Sequence, residues 1–165
     1  MGHVYFELGQ FQTALEFYQK SLHPEVAESR EETTVGLIQT NLALGQIKEA
    51  TLQLQKSDLK GKVFAAWKAV FAIQLEPAKS SEQLHLQIRE VFGLVQEISA
   101  LNACECLVSL LEPVAQLEPM FAKRFAMSLL QDQRSSFYVL KLANAFVGDT
   151  TSTPELPWKS SIKEF

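Results

Sequence analysis

The sequence predicts an all-α chain folded as an α–α superhelix of stacked helical hairpins, and three observations carry that reading. Residues 8–21 return at residues 44–57, 36 positions later, with Leu8/Leu44, Gly9/Gly45, Gln10/Gln46, Ala14/Ala50, Gln19/Gln55, Lys20/Lys56 and Ser21/Ser57 identical. An internal period of this size marks units that cannot bury their apolar face alone and stack to do so. Gly9 and Gly45 each follow an apolar run, where a helix must stop and only glycine takes the left-handed conformation at no steric cost. Phe11, Ala14, Leu15, Tyr18 and Leu22 then follow the i, i+3, i+4, i+7 spacing of a helix with one buried stripe. The predicted unit is a pair of helices joined by a tight turn at glycine, with Ala14 and Ala50 as the small residues that let a neighbouring helix approach.

These residues resemble the tetratricopeptide repeat family, whose pattern runs W-x2-L-G-x2-Y, A-x3-F and P. Met1, Gly2 and Tyr5 take the L-G-x2-Y positions, and Ala14 with Tyr18 takes A-x3-F. The second repeat keeps Leu37, Gly45, Ala50 and Leu54, but carries Ile38 in place of the family glycine and Asn41 in place of the tyrosine. The period exceeds the family's by about two residues, which fall in the loop near His23 to Glu31, and Pro24 stands two residues before the family proline. The resemblance covers residues 1–58, read as two tetratricopeptide-like repeats of which the first is truncated at its N-terminus. The family's tryptophan position would precede Met1, so Met1 is expected to be an internal start or a fragment boundary with further repeats before it.

In chain order, residues 1–7 predict the end of a first helix and the hairpin closes at His23-Pro24. The second hairpin runs from about Glu28 to Ala43 and from Ile47 to about Lys56. Asp58 is the expected cap of a third pair. Its first helix carries Val63, Phe64, Trp67, Val70 and Phe71, and stops at Glu76-Pro77, because proline lacks a donor and clashes with the preceding turn. Ser80 with Gln83 forms a capping box before a helix with apolar positions Leu84, Ile88, Val91, Phe92, Val95 and Ile98. Asn102 with Glu105 predicts the same device for a shorter helix ending at Leu111. Pro113 and Pro119 suit first helical positions, the second opening a helix of Met120 to Gln131 with Phe121, Phe125 and Leu129 on one face. Ser135 or Ser136 begins a last helix, Phe137 to Val147, closed by Gly148. Residues 59–148 thus read as a divergent helical-repeat extension, and residues 149–165 as a loose tail in which Trp158 either docks onto the last helix or stays mobile.

Composition bounds the function. In 165 residues the net charge is −4, so there is no basic footprint for nucleic acid. Residues 1–58 carry four Lys/Arg against eight Asp/Glu, while residues 59–165 carry eleven of each. Much of the early acidity, Glu25, Glu28, Glu31 and Glu32, reads as a solvated loop and helix start. No apolar run reaches the roughly 18 residues of a membrane span, and no signal peptide is seen. Cys104 and Cys106 are the only cysteines and have no metal-spaced partners; they read as reduced thiols in a cytoplasmic or nuclear protein. His3, His23 and His85 are far apart, no phosphate loop or nucleophile elbow occurs, and Glu112 with Glu118 reads as helix-end carboxylates. Neither catalysis, a metal nor a cofactor is expected.

A stack of hairpins presents a concave surface lined by its first helices. The family resemblance implies that this surface binds an extended peptide, a partner helix or a subunit of a larger complex. Carried over residue by residue, the groove positions are His3, Phe6 and Glu7 in the first repeat and Val35, Gln39, Leu42 and Ala43 in the second. A carboxylate clamp for a chaperone terminus is not expected, because His3, Gln39 and Val35 stand where lysine and asparagine would serve it. The expected function is therefore a non-catalytic protein–protein interaction scaffold. The alternative is a regulatory or capping helical domain of a larger enzyme.

Overall fold

The computed structural model describes residues 1–22, 27–131 and 137–147. Its elements in chain order are α1 (Gly2–Glu7), α2 (Phe11–Lys20), α3 (Ala27–Ala43), α4 (Ile47–Lys56), α5 (Lys62–Leu75), α6 (Ser81–Val95), α7 (Ala100–Val108), α8 (Leu111–Leu117), α9 (Pro119–Gln131) and α10 (Phe137–Val147). Among the described residues every regular element is a helix, so the described part of the chain is all-α. The His23-Pro24 corner, the Ser135 or Ser136 start of the last helix, Gly148 and the tail 149–165 lie outside the described residues.

The two glycine turns are the same structure twice. Gly9 has φ 73° and Gly45 φ 72°, the only positive values among the described residues. In the first turn Gly9 N donates to Phe6 O (3.0 Å) and Gln10 N to Tyr5 O (2.9 Å); in the second Gly45 N donates to Leu42 O (3.0 Å) and Gln46 N to Asn41 O (2.8 Å). This is the Schellman arrangement, in which the residues after the helix satisfy two carbonyls that the helix itself leaves open. An added Cβ would meet nothing within 4 Å at either glycine, so backbone conformation alone demands the residue. Each turn hands the chain to a helix led by a large apolar residue, and Ala14 and Ala50, fully buried, lie in the close-packed part of those helices.

Helix α3 is the hub of the N-terminal half, packing on α1, α2, α4 and α5. It is buried along nearly its whole middle, from Thr33 to Ile38 and at Thr40 and Asn41. Its polar members stay satisfied locally where they are best placed to do so: Thr40 Oγ1 donates to Gly36 O at 2.6 Å. Glycine in a helix interior costs about 1 kcal/mol relative to alanine, and Gly36 has a packing reason to be there. The Tyr18 ring of α2 lies directly against its Cα, where a side chain would overlap ring carbons. The same ring lies against Gly2 of α1, where an added Cβ would stand 2.9 Å from Cδ1 and Cε1. One aromatic ring is thus bedded between two glycines on two helices.

The C-terminal half continues the same core. In α5, Phe64, Ala66, Trp67, Val70, Phe71 and Ile73 are all buried, and Trp67 stacks on Phe71 at 5.3 Å. A helix apolar on nearly every side is one covered on nearly every side; α5 packs against α3, α4, α6 and α7. From α6 the core receives Leu84, Ile88, Val91 and Val95, whereas Phe92 is exposed and Ile98 falls beyond the helix end. A second apolar cluster joins Cys104, Val108 and Leu111 to Ala126, Leu129, Val139, Ala143 and Val147.

Several helix starts differ from the sequence expectation. Asp58 does not cap α5; Gly61 does, without a side-chain bond. Ser80 caps α6 as expected, its Oγ accepting from Gln83 N at 3.3 Å, but the Gln83 side chain reaches one residue past the cap and accepts from Lys79 N at 3.1 Å, so the box is not closed on Ser80 itself. Asn102 is not a cap: Ser99 Oγ accepts from Asn102 N (3.3 Å), so α7 starts one turn earlier. Serine caps as well as asparagine and comes first in the chain. Leu111 opens α8 rather than ending α7, and Pro113 stands third in α8 instead of first. That position is tolerated because an amide in the first turn has no intrahelical acceptor to lose. Pro119 does open α9.

Two glycine substitutions should move stability in opposite directions. Gly93 lies inside α6 with open space where a Cβ would go, so Gly93→Ala is expected to stabilise by about 0.5–1 kcal/mol. Gly36→Ala must displace the Tyr18 ring and is expected to destabilise by about 1–3 kcal/mol. Urea unfolding of the two variants measures both, and equal effects would show that the ring does not occupy this slot.

Candidate functional site: a groove between the first and last helices

The helices enclose an open cavity of ≈ 410 Å³. One wall comes from α1 and α3. The 36-residue correspondence pairs His3 with Gln39, Phe6 with Leu42 and Glu7 with Ala43, and all of these except His3 line the cavity. They do so because the two helices end in the same glycine turn and lie side by side, so equivalent residues share a face. Gly9, Phe11 and Ile47 at the turns continue this wall. The floor is Gln74 at the end of α5 with Pro77 in the corner after it, and the opposite wall combines Val108, Ser109, Glu112, Pro113 and Gln116 of the α7–α8 corner with Lys141, Leu142 and Phe146 of α10.

Phe6, Glu7, Gln39 and Leu42, the residues singled out from the sequence, are therefore brought together. Phe6 serves two purposes, being only 5% exposed and packed on Phe11 with ring centroids 5.3 Å apart. Leu42 is half-buried and also rests on the main core, while Gln39 is half-buried. His3 is exposed and stands off the cavity, its Nε2 3.3 Å from Glu7 Oε1. Val35 is buried in the core cluster with Ile38, Ala50 and Phe64 and does not line the cavity. The far wall was not found from the sequence. Nothing periodic relates Glu112, Gln116 or Lys141 to the first repeats; only packing brings them opposite.

The polar groups have a definite arrangement. Gln74 Nε2 donates to Ser109 O at 2.9 Å, tying the floor to the far wall. Gln39, Gln74 and Gln116 place side-chain amides around an otherwise apolar surface of Phe6, Phe11, Leu42, Leu142 and Phe146. Glu7 and Glu112 contribute acid and Lys141 base. The Tyr18 phenol is pushed up to about 12, first by burial and then by the carboxylates of Glu105, Glu32 and Glu7, which converge on it from three helices. Burial, with Glu105 beside it, also raises the Cys106 thiol well above its ordinary range, so it stays protonated at neutral pH and is a poor nucleophile. Cys104 and Cys106 are both free thiols and buried. No group of three or more His, Cys, Asp or Glu suited to a metal occurs among the described residues, and none of the described helices is long and apolar enough to cross a membrane.

Comparison with protein-family models, with curated proteins and with solved structures finds no match. The reading of the site therefore rests on its geometry. Apolar and aromatic walls with a few side-chain amides suit an extended chain, whose side chains need apolar pockets and whose backbone needs donors and acceptors.

Tyr18 offers a direct measurement of how α1 and α3 pack on α2. Its folded pKa lies above the unfolded value of about 10, so its contribution to stability is complete below pH 10. It is lost as pH rises from about 10 to the folded value of about 12. Ultraviolet titration should show one phenol ionising last, and Tyr18→Phe should remove that step and flatten the fall in stability across this window. Ordinary ionisation of all three tyrosines would overturn the placement of the ring.

Proposed function

We propose that this chain is a non-catalytic interaction scaffold that holds a peptide or a partner subunit on the concave face of a tetratricopeptide-like solenoid. The observation that carries the reading is the coincidence of two independent lines. Of the seven positions that the family resemblance implies, Phe6, Glu7, Gln39, Leu42 and Ala43 line one cavity, and His3 and Val35 do not. In support of the hairpin stack, the two glycine turns share backbone angles and hydrogen bonds, and α1, α2, α3, α4 and α5 pack in succession. On this reading residues 1–58 are two repeats and residues 59–148 a divergent extension that supplies the opposite wall. The site of action is cytoplasmic or nuclear, no nucleic acid is bound directly, and no cofactor is used.

The second reading, a regulatory or capping domain of a larger enzyme, draws on a different face. Leu86 of α6 and Met120 of α9 are 64% and 66% exposed. Near them an aromatic series runs from His85 through Phe121 and Phe125 to Phe92, suited to packing on another domain.

Paired variants separate the two. Gln39→Arg with Gln116→Arg places two cations in the groove at half-buried and exposed positions, leaving the core intact. Comparative capture followed by mass spectrometry should show the bound protein reduced at least tenfold, with the melting temperature within a few degrees of wild type. Leu42 is a poorer probe, because a charge there also disturbs the core. If Leu86→Glu with Met120→Glu abolishes capture and the groove pair does not, the second reading holds.

A further inference from the structure

Away from the groove, the side of the molecule between α6 and α9 joins exposed apolar surface to unpaired positive charge. The contacts that link the two helices advance together along the chain. His85 Nε2 stands 3.0 Å from Oε1 of Glu118, the residue directly before α9. The His85 ring meets Phe121 edge-on with centroids 6.4 Å apart, and two turns later Phe92 lies 5.9 Å from Phe125. The helices therefore run side by side in one direction over about 10 Å. Along this strip Phe92 and Phe121 are each 37% exposed, and Leu86 and Met120 more so.

The charge along the strip has one sign. Around α6, Phe92 lies about 20° to one side of His85 and Arg89 about 40° to the other, so Arg89 stands on the rim beside α9. Around α9, Arg124 falls between Met120 and Phe121. Both arginines are exposed, and neither makes an ion pair among the described residues. The carboxylates nearby are engaged or turned away. Glu118 is held by Ser81 and His85, Glu97 by Lys62 at 2.9 Å, and α9 has no acidic residue. Glu82 sits in the first turn of α6, where it complements the helix dipole, and Glu90 lies about 140° round α6 from His85. We propose that this face docks an amphipathic helix of a partner protein, its apolar stripe on Phe92, Phe121, Leu86 and Met120 and its flanking carboxylates on Arg89 and Arg124. The inference is independent of the groove reading, since none of these residues lines the groove.

A helix fits better than an extended chain because the strip is made by two helices, whose backbone amides and carbonyls are spent within them. An extended segment would find no backbone partners there, whereas a helix satisfies its own and presents only side chains. Two arginines, one on each rim, select the sign of the flanks instead of supplying most of the affinity. An exposed ion pair is worth a factor of about 1.5 to 5. Reversing both arginines, which turns attraction into repulsion, is therefore expected to cost an acidic helix about tenfold or more.

Fluorescence anisotropy with two labelled peptides tests this on the full chain. Each has about 20 residues, long enough to be helical alone, with a leucine stripe at helical spacing; one carries glutamate on both flanks of the stripe and the other lysine. The glutamate peptide should bind the wild-type chain at least about tenfold more tightly than the lysine peptide. Arg89→Glu with Arg124→Glu should reverse that order, and Arg89→Gln with Arg124→Gln should make the two peptides equal. Gln39→Arg with Gln116→Arg should leave both affinities unchanged. No binding of the glutamate peptide overturns the proposal, and so does a preference that survives reversal of the arginines. A single-stranded oligo-dT that binds more tightly than the glutamate peptide, and is lost on the same reversal, overturns it in favour of nucleic acid. If the groove pair abolishes peptide binding, this inference falls and the scaffold reading stands. If reversal of the arginines switches the preference while the groove pair leaves partner capture intact, the scaffold reading falls and this inference stands.

Discussion

The Tyr18 ring, seated between Gly2 and Gly36, is the contact on which the N-terminal half depends. Two helices that each bring a glycine to the same ring approach it more closely than any side chain would allow. Close-packed interiors transmit such spacings to their neighbours. Here the ring fixes α1 and α3 on one side of α2, so that Phe6 and Leu42, 36 residues apart, stand on one wall of one groove. The Tyr18 phenol stays neutral at physiological pH in the midst of Glu7, Glu32 and Glu105. A hydroxyl can lie among carboxylates where a fourth charge could not.

How far this was legible in the sequence depended on how local each cause was. The turns at Gly9 and Gly45 were legible because the demand for positive φ falls on one residue and its hydrogen bonds close within five. For the same reason the bounds of α4 and α10 follow from the sequence, since each begins with an apolar residue at the start of a periodic stretch. Caps were less secure. Ser99 and Asn102 are both good caps three residues apart, and Ser99, the earlier of the two, is the one used. Gly36 was missed although it carried a signal: a glycine in a helix interior costs enough to need a packing reason. The partner that supplies the reason lies on another helix.

The groove divides along the same line. Its α1–α3 wall was legible because the repeat duplicates it, whereas its α7–α8 and α10 wall was not, because that wall has no counterpart in the repeat. Val35 shows the limit of transferring positions by resemblance. It occupies a first-helix position like Gln39, one turn away, but faces the core beside Ile38 and Phe64. A helix flanked by α1, α2, α4 and α5 has little surface left to present, and only its last turn, at Gln39, Leu42 and Ala43, emerges into the cavity.

That emergence ties the groove to the whole chain instead of to the repeats alone. The main core is continuous from Val35 and Ile38 through Trp67 and Phe71 to Val114 and Ala122, so it crosses residue 58, where the repeat pattern ends. The floor of the groove is held by a bond between its parts, Gln74 Nε2 to Ser109 O, and Gln74 belongs to a helix whose other faces carry Phe64, Trp67 and Phe71 into that core. Deleting apolar volume there would act on the groove by moving Gln74, and with it Ser109, Glu112 and the far wall. The repeats give one wall its residues, but the distance between the walls is set by the divergent helices. The helices after residue 58 therefore set the width of a cavity whose first wall comes from the repeated segments.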